Sequence, residues 1–214
     1  MNPALRCFGT SMVLAFLAGC VSMFSGVIFS PTDGDIQASG KTLAIVAATN
    51  NDMTVAVVDS MAAAFSRNST FKVLPPKQTA QRIPGYPQEI KGPYNSAYVT
   101  IDIDFSKTDS KKVREIMKKV GTDYAYVIWI PVGSSRTASA EGAAASGEGR
   151  QYHAVAQLFK GPDAKVVGQG RFDVTAVRYV PGAKVSAEHM REAVANTTDT
   201  VSTVIAEKTG ALKK

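Results

Sequence analysis

The sequence predicts a single α/β domain, a mixed sheet with flanking helices, and three observations carry that prediction. Two segments place apolar residues at helical spacing, Val57, Met61 and Phe65 in one, Val113, Ile116, Met117 and Val120 in the other. Tyr124 to Ile130 is apolar on both faces, the pattern of a central strand covered on both sides. Gln151 to Phe159 and Val166 to Tyr179 flank Gly161-Pro162-Asp163-Ala164, which reads as a hairpin across a type I turn.

The amino terminus comes first in chain order. Arg6 adds a positive charge, and Cys7 to Gly19 follows without one, with Met12, Val13, Leu14, Phe16 and Leu17 as its apolar body. That is the order of a secretory signal. Leu17-Ala18-Gly19-Cys20 matches the lipobox of bacterial lipoprotein precursors, so cleavage after Gly19 and a diacylglycerol on the Cys20 sulfur are expected. The expected organisation is a signal peptide over 1–19, a lipid-anchored tether over 20–41, a periplasmic domain over 42–209 and a tail over 210–214. Uncharged sequence continues from Phe8 to Phe29, long enough to span a bilayer, and an uncleaved membrane helix is the alternative.

Ser30 to Gly40, with Pro31, Gly34 and Gly40, reads as flexible tether. Thr42 to Ala48 is a strand. Asn51 or Asp52 caps a helix running to about Arg67. Phe71 to Leu74 is a second strand, and the five prolines of Pro75 to Pro93 make a loop with room for one helical turn. Ala97 to Phe105 alternates strictly, with Val99, Ile101, Ile103 and Phe105 on one face and Tyr98, Thr100, Asp102 and Asp104 on the other. Lys107 to Val120 is helical and Gly121 supplies a left-handed stop. Gly133 to Gly149, mostly Gly, Ala and Ser, is a mobile loop. Ser186 caps a closing helix with Met190, Val194, Val201, Val204 and Ile205 along its buried stripe.

At 214 residues and 45% hydrophobic, the mature part can bury one core. Both cysteines fall in the amino-terminal region, leaving the folded part without a disulfide or a thiolate metal site. The net charge of +6 suits an acidic neighbour but does not single one out.

Most apparent chemical motifs dissolve on inspection. Gly34 to Gly40 before Lys41-Thr42 misses P-loop spacing by one residue and precedes a strand. Gly168-Gln169-Gly170 has Asp173 where a dinucleotide fingerprint needs glycine, and a glycine inside a strand marks a bulge or a close backbone approach. Asp102 and Asp104 read as a solvated strand face. His153 and His189 read as surface residues, with no Gly-x-Ser-x-Gly elbow to make a triad. Trp129 and its tyrosine neighbours read as core. The remaining candidate is Lys111, Lys112, Arg114, Lys118 and Lys119, clustered opposite an apolar stripe: either a solvated helix face or a contact for anionic polymer or lipid.

Thr42 to Ala48, the helix after it and Phe71-Lys72-Val73-Leu74 resemble the opening of the TolB amino-terminal and CsgG-like superfamily. Gly121-Thr122-Asp123-Tyr124 is similar to that superfamily's lead into a strand, and Ala164-Lys165-Val166-Val167 to its hairpin. The resemblance covers roughly Thr42 to Lys208. It implies a non-enzymatic binding or assembly lipoprotein of the cell envelope, without cofactor or metal, facing the periplasm from the outer membrane. An envelope protein partner, an anionic polymer or lipid, or further copies of the chain are the expected contacts, and nucleic acid is not. A secretion-channel subunit is the runner-up, weakened because Gly133 to Gly149 lacks the alternating apolar residues of a lipid-facing strand. An enzyme acting on envelope polymer comes last.

Overall fold

A computed structural model describes residues 27–32, 36–94, 103–131, 135–137, 148–178 and 184–214. The expected lipobox, Leu17 to Cys20, lies outside them, as do most of the strand expected over Ala97 to Phe105 and most of Gly133 to Gly149. In chain order the elements are β1 (Ile28–Pro31), β2 (Thr42–Ala47), α1 (Asp52–Asn68), β3 (Lys72–Val73) and α2 (Pro76–Arg82). A 3₁₀ turn (Phe105–Lys107), α3 (Ser110–Val120), β4 (Tyr124–Trp129), β5 (Ser135–Thr137), β6 (Glu148–Lys160), β7 (Lys165–Arg178) and α4 (Ala187–Lys208) complete them. The described strands form one mixed sheet in the order β1-β7-β6-β4-β2-β3, with β5 pairing to β6. β2 runs parallel to β3 and to β4, and the remaining pairs are antiparallel.

Strand periodicity splits the core into two layers. Leu43, Ile45 and Ala47 of β2, with Tyr124, Tyr126 and Ile128 of β4, face α1 and α4. Ala44 and Val46, with Ala125, Val127 and Trp129, face α2 and α3. Both strands are therefore buried on both faces, which is why Tyr124 to Ile130 shows no polar alternation. Phe65 of α1 meets Phe71 and Tyr126 edge-on, at centroid distances of 6.1 and 5.9 Å. Polar ties hold α1 to α4: Asn68 donates to the Asp199 carboxylate at 3.0 Å, beside an Arg67–Asp199 ion pair at 3.1 Å.

The caps follow from residue type. The Asn51 side chain accepts from the Thr54 N–H at the start of α1. Asp109 does the same for Lys112 in α3, and Gly121 ends that helix at φ 71°. Ser186 and His189 form a reciprocal capping box on α4, so His189 is a cap and not a bystander.

Several expectations are corrected. The residues read as tether are not all tether: Ile28–Pro31 pairs with β7, burying Phe29, and Ala38 is buried as well. The uncharged stretch open to a membrane helix thus ends at Val27. Among the described residues no helix is long and apolar enough to cross a membrane. The alternation expected through Phe105 fails at its end. Ile103 makes only an isolated bridge to Tyr94, and the Asp104 carboxylate accepts from the Ser106 N–H and hydroxyl, turning the chain into 3₁₀ geometry. The following helix starts at Ser110 instead of Lys107 for the same reason. The rest of that strand, including Val99, Ile101 and Asp102, lies outside the described residues. Within Gly133 to Gly149, Ser135–Thr137 is a strand. The tail is also stitched down: Ala211 is fully buried and Leu212 bridges to Ser69.

Candidate functional site

α3 presents the candidate basic face. Val113, Ile116, Met117 and Val120 are buried, which rotates Lys111, Lys118 and Lys119 into solvent and leaves Lys112 half-buried. Among the described residues none of these four lysine side chains has an ion-pair or hydrogen-bond partner. Arg114 differs: its Nε and a terminal nitrogen both donate to the Asp163 carbonyl at 3.1 Å, clamping α3 to the β6–β7 turn. Four of the five basic residues are thus free to meet an anion, and the fifth is structural.

Beside the carboxyl end of α3 lies an open cleft of about 660 Å³, walled by Arg114, Lys118, Thr122, Asp123 and Pro162. A smaller one of about 230 Å³ opens across Asp123, between Lys41 and Lys160. Asp123 belongs to both walls. Its Oδ2 accepts from the Thr42 N–H at 2.9 Å and the Thr42 hydroxyl at 2.8 Å, while that hydroxyl accepts from the Asp123 N–H. The bonds from the Thr42 backbone and hydroxyl hold the Asp123 carboxyl below its usual range, with Lys41 and Lys72 adding to the effect. An ionised, doubly bonded carboxylate is a poor proton acceptor. Its work is structural, a clasp that fixes the parallel register of β2 on β4. This gives Gly121-Thr122-Asp123-Tyr124 a physical meaning: a helix stop, then the residue that locks the next strand.

The two glycines dismissed as a dinucleotide motif meet the expectation for strand glycines. β7 slips register against β6 at Leu158/Phe159, and β1 crosses over both glycines. A Cβ at Gly168 would sit 2.2 Å from the Phe29 ring, and one at Gly170 would sit 2.1 Å from the Ile28 carbonyl oxygen.

His153 is not the surface residue its sequence context suggests. It is half-buried on β6, its Nδ1 2.7 Å from an Asp173 carboxylate oxygen, and Gln151 donates to the other oxygen at 3.0 Å. Among the described residues, His153 Nε2 and the Thr175 hydroxyl, on the same sheet face, are buried without a partner. The register slip is why the pair is hard to read from sequence. Continuing the Lys160–Lys165 pairing without it would put Phe172, and not Asp173, opposite His153. Among the described residues no group of three or more His, Cys, Asp or Glu side chains could hold a metal. Trp129 is fully buried, its indole N–H donating to the Ile90 carbonyl at 2.9 Å. Asp104 is a cap; Asp102, Gly19 and Cys20 lie outside the described residues.

No protein-family model and no curated protein matches the chain. Solved structures give remote likenesses. A PelC dodecamer structure from Paraburkholderia phytofirmans is 10% identical, with a TM-score of 0.44 over 83% of this chain and 96% of that one. The lipoprotein GNA1162 from Neisseria meningitidis is 12% identical, with a TM-score of 0.41 over 75% and 97%. The hypothetical protein CT253 from Chlamydia trachomatis is 6% identical, with a TM-score of 0.44 over 80% and 98%. Likenesses this distant assign neither family nor function.

Proposed function

We propose that this chain is a lipid-anchored, non-enzymatic binding or assembly lipoprotein of the TolB/CsgG-like kind, facing the periplasm from the outer membrane. The observation that carries the reading is Leu17-Ala18-Gly19-Cys20 at the end of an apolar leader. The fold supports it at one point. The apolar residues after Cys20, unusual for a tether, end in a strand of the domain, where Phe29 packs into the core and Val27 against it. Val27 and Phe29 therefore have a use outside a bilayer. Val21, where an aspartate would favour inner-membrane retention, supports sorting outward. The α3 lysines are the best contact face for an anionic partner, because neither packing nor pairing accounts for them.

Mass spectrometry of the mature amino-terminal peptide from the native host tests the reading. Diacylglycerol on Cys20, with palmitate among the acyl chains, and a chain beginning at that residue are expected. Cys20→Ala should leave an uncleaved, unacylated precursor. An unmodified peptide running through Cys7 to Phe29 from the native host refutes the proposal.

A further inference from the structure

The helices divide by charge as they divide by layer. α2 and α3, on one sheet face, carry seven basic residues against one acid, Glu115, a net of +6. α1 and α4, on the other face, carry three basic residues against six acids, a net of −3. The helix layers are thus of opposite charge on the two sheet faces. Folding does not ask for this arrangement. Lys111 and Lys112 stand in the first turn of α3, where the helix dipole disfavours cations. Lys111 and Lys119 flank Glu115 at i, i+4 spacing, yet none of the three pairs among the described residues.

The second observation is the length of the leash. With β1 starting at Ile28, only the chain from Cys20 to Val27 separates a lipid on Cys20 from the domain. That segment reaches at most about 29 Å. A domain of this size has a radius of gyration near 16 Å, hence a width of about 40 Å. The leash is shorter than the domain is wide, so an anchored domain stays close to the headgroups and one face must turn toward them. A polarised body held there orients in the surface field, which acts within a Debye length of about 8 Å. Each lysine brought that near an anionic leaflet favours the orientation by about fivefold.

We infer that the anchored domain lies with its α2–α3 face against anionic phospholipid headgroups and its α1–α4 face turned away. The inference rests on acylation of Cys20, which supplies the leash. Lipid is favoured over wall polymer or the acidic face of a second copy because the leash guarantees its proximity.

The test uses the full acylated chain in phosphatidylcholine vesicles with and without phosphatidylglycerol. Cys20 is blocked by its lipid and Cys7 leaves with the leader, so one introduced thiol carries the label. Ser110→Cys reports on α3 and Thr200→Cys, exposed on α4, on the opposite face; both are close in size to the native residue, and a melt of each labelled protein checks the fold. A headgroup quencher should dim the Ser110→Cys label several-fold more when phosphatidylglycerol is present, and high salt should remove the difference. The Thr200→Cys label should be indifferent to composition. Changing Lys111, Lys112, Lys118 and Lys119 to Gln should abolish the difference while the protein still floats with the vesicles. Equal quenching at Ser110→Cys in both vesicles, or stronger quenching at Thr200→Cys, overturns the orientation, as does lysine-dependent retention on isolated wall polymer without any vesicle effect. Salt-sensitive association between copies at those lysines, without a vesicle effect, does so too. Failure to float with neutral vesicles refutes the anchor itself, and the orientation falls with it.

Discussion

Gly170→Ala should strip β1 from the sheet. The added methyl would lie 2.1 Å from the Ile28 carbonyl oxygen and 3.1 Å from the Phe29 Cα, and both are backbone atoms that cannot rotate away. β1 must therefore shift as a unit. What it loses is the pairing of Ile28–Pro31 with Gly168–Arg171 and the burial of Phe29, only 4% exposed in the native fold. Fully exposing a phenylalanine costs about 1.5–3 kcal/mol, and truncating one in a core costs about 3–5 kcal/mol once the cavity is included. Gly170→Ala should then cost roughly 2–4 kcal/mol, close to the cost of Phe29→Ala. For a domain of this size that lowers the melting temperature by roughly 5–15 °C. Because both changes disable one element, the double variant should lose little more than either single one. Thermal melts of the three variants, with hydrogen exchange at the Phe29 and Ser30 amides, decide the matter. A Gly170→Ala protein within about 0.5 kcal/mol of wild type, or losses that add in full, would show that β1 is not docked as described.

The Thr42–Asp123 clasp makes a pH-dependent prediction. The Asp123 carboxyl is depressed in the fold, so its contribution is present above the unfolded carboxylate range, near pH 3.9, and fades as pH falls through the lower folded value. Asp123→Asn should cost about 1 kcal/mol at neutral pH, the exposure of the pair discounting a charged hydrogen bond, and the gap to wild type in urea melts should close below pH 4. A gap independent of pH would assign the effect to packing. Removing the α4 capping box by Ser186→Ala should cost about 1 kcal/mol, read from denaturant midpoints at unchanged slope, whereas no change would show that tertiary contacts alone hold the first turn. Arg114→Gln should destabilise the protein slightly through the lost Asp163 clamp, while Lys111→Gln leaves the melt unchanged; equal effects would contradict the separate roles given to them.

The sequence by itself determined the elements whose signal is local. Caps at Asn51 and Ser186, the stop at Gly121, the stripe Val113, Ile116, Met117 and Val120, and the two-sided burial of Tyr124 to Ile130 all depend on residues within a few positions of each other. The proposed lipobox, Leu17-Ala18-Gly19-Cys20, is a local signal of the same kind. What only tertiary structure decided depends on partners far away in the chain. Ile28–Pro31 becomes a strand because β7 offers an edge whose two glycines leave room for it, some 140 residues on. His153 finds Asp173 because a one-residue bulge shifts the hairpin register, and no local pattern announces a bulge. Arg114, inseparable from its lysine neighbours by composition, is set apart by the Asp163 carbonyl that the turn carries to it. The opposite charges of the two helix layers also appear only once the sheet has placed α2 with α3 and α1 with α4, because net charge along a chain says nothing about which face of a sheet bears it.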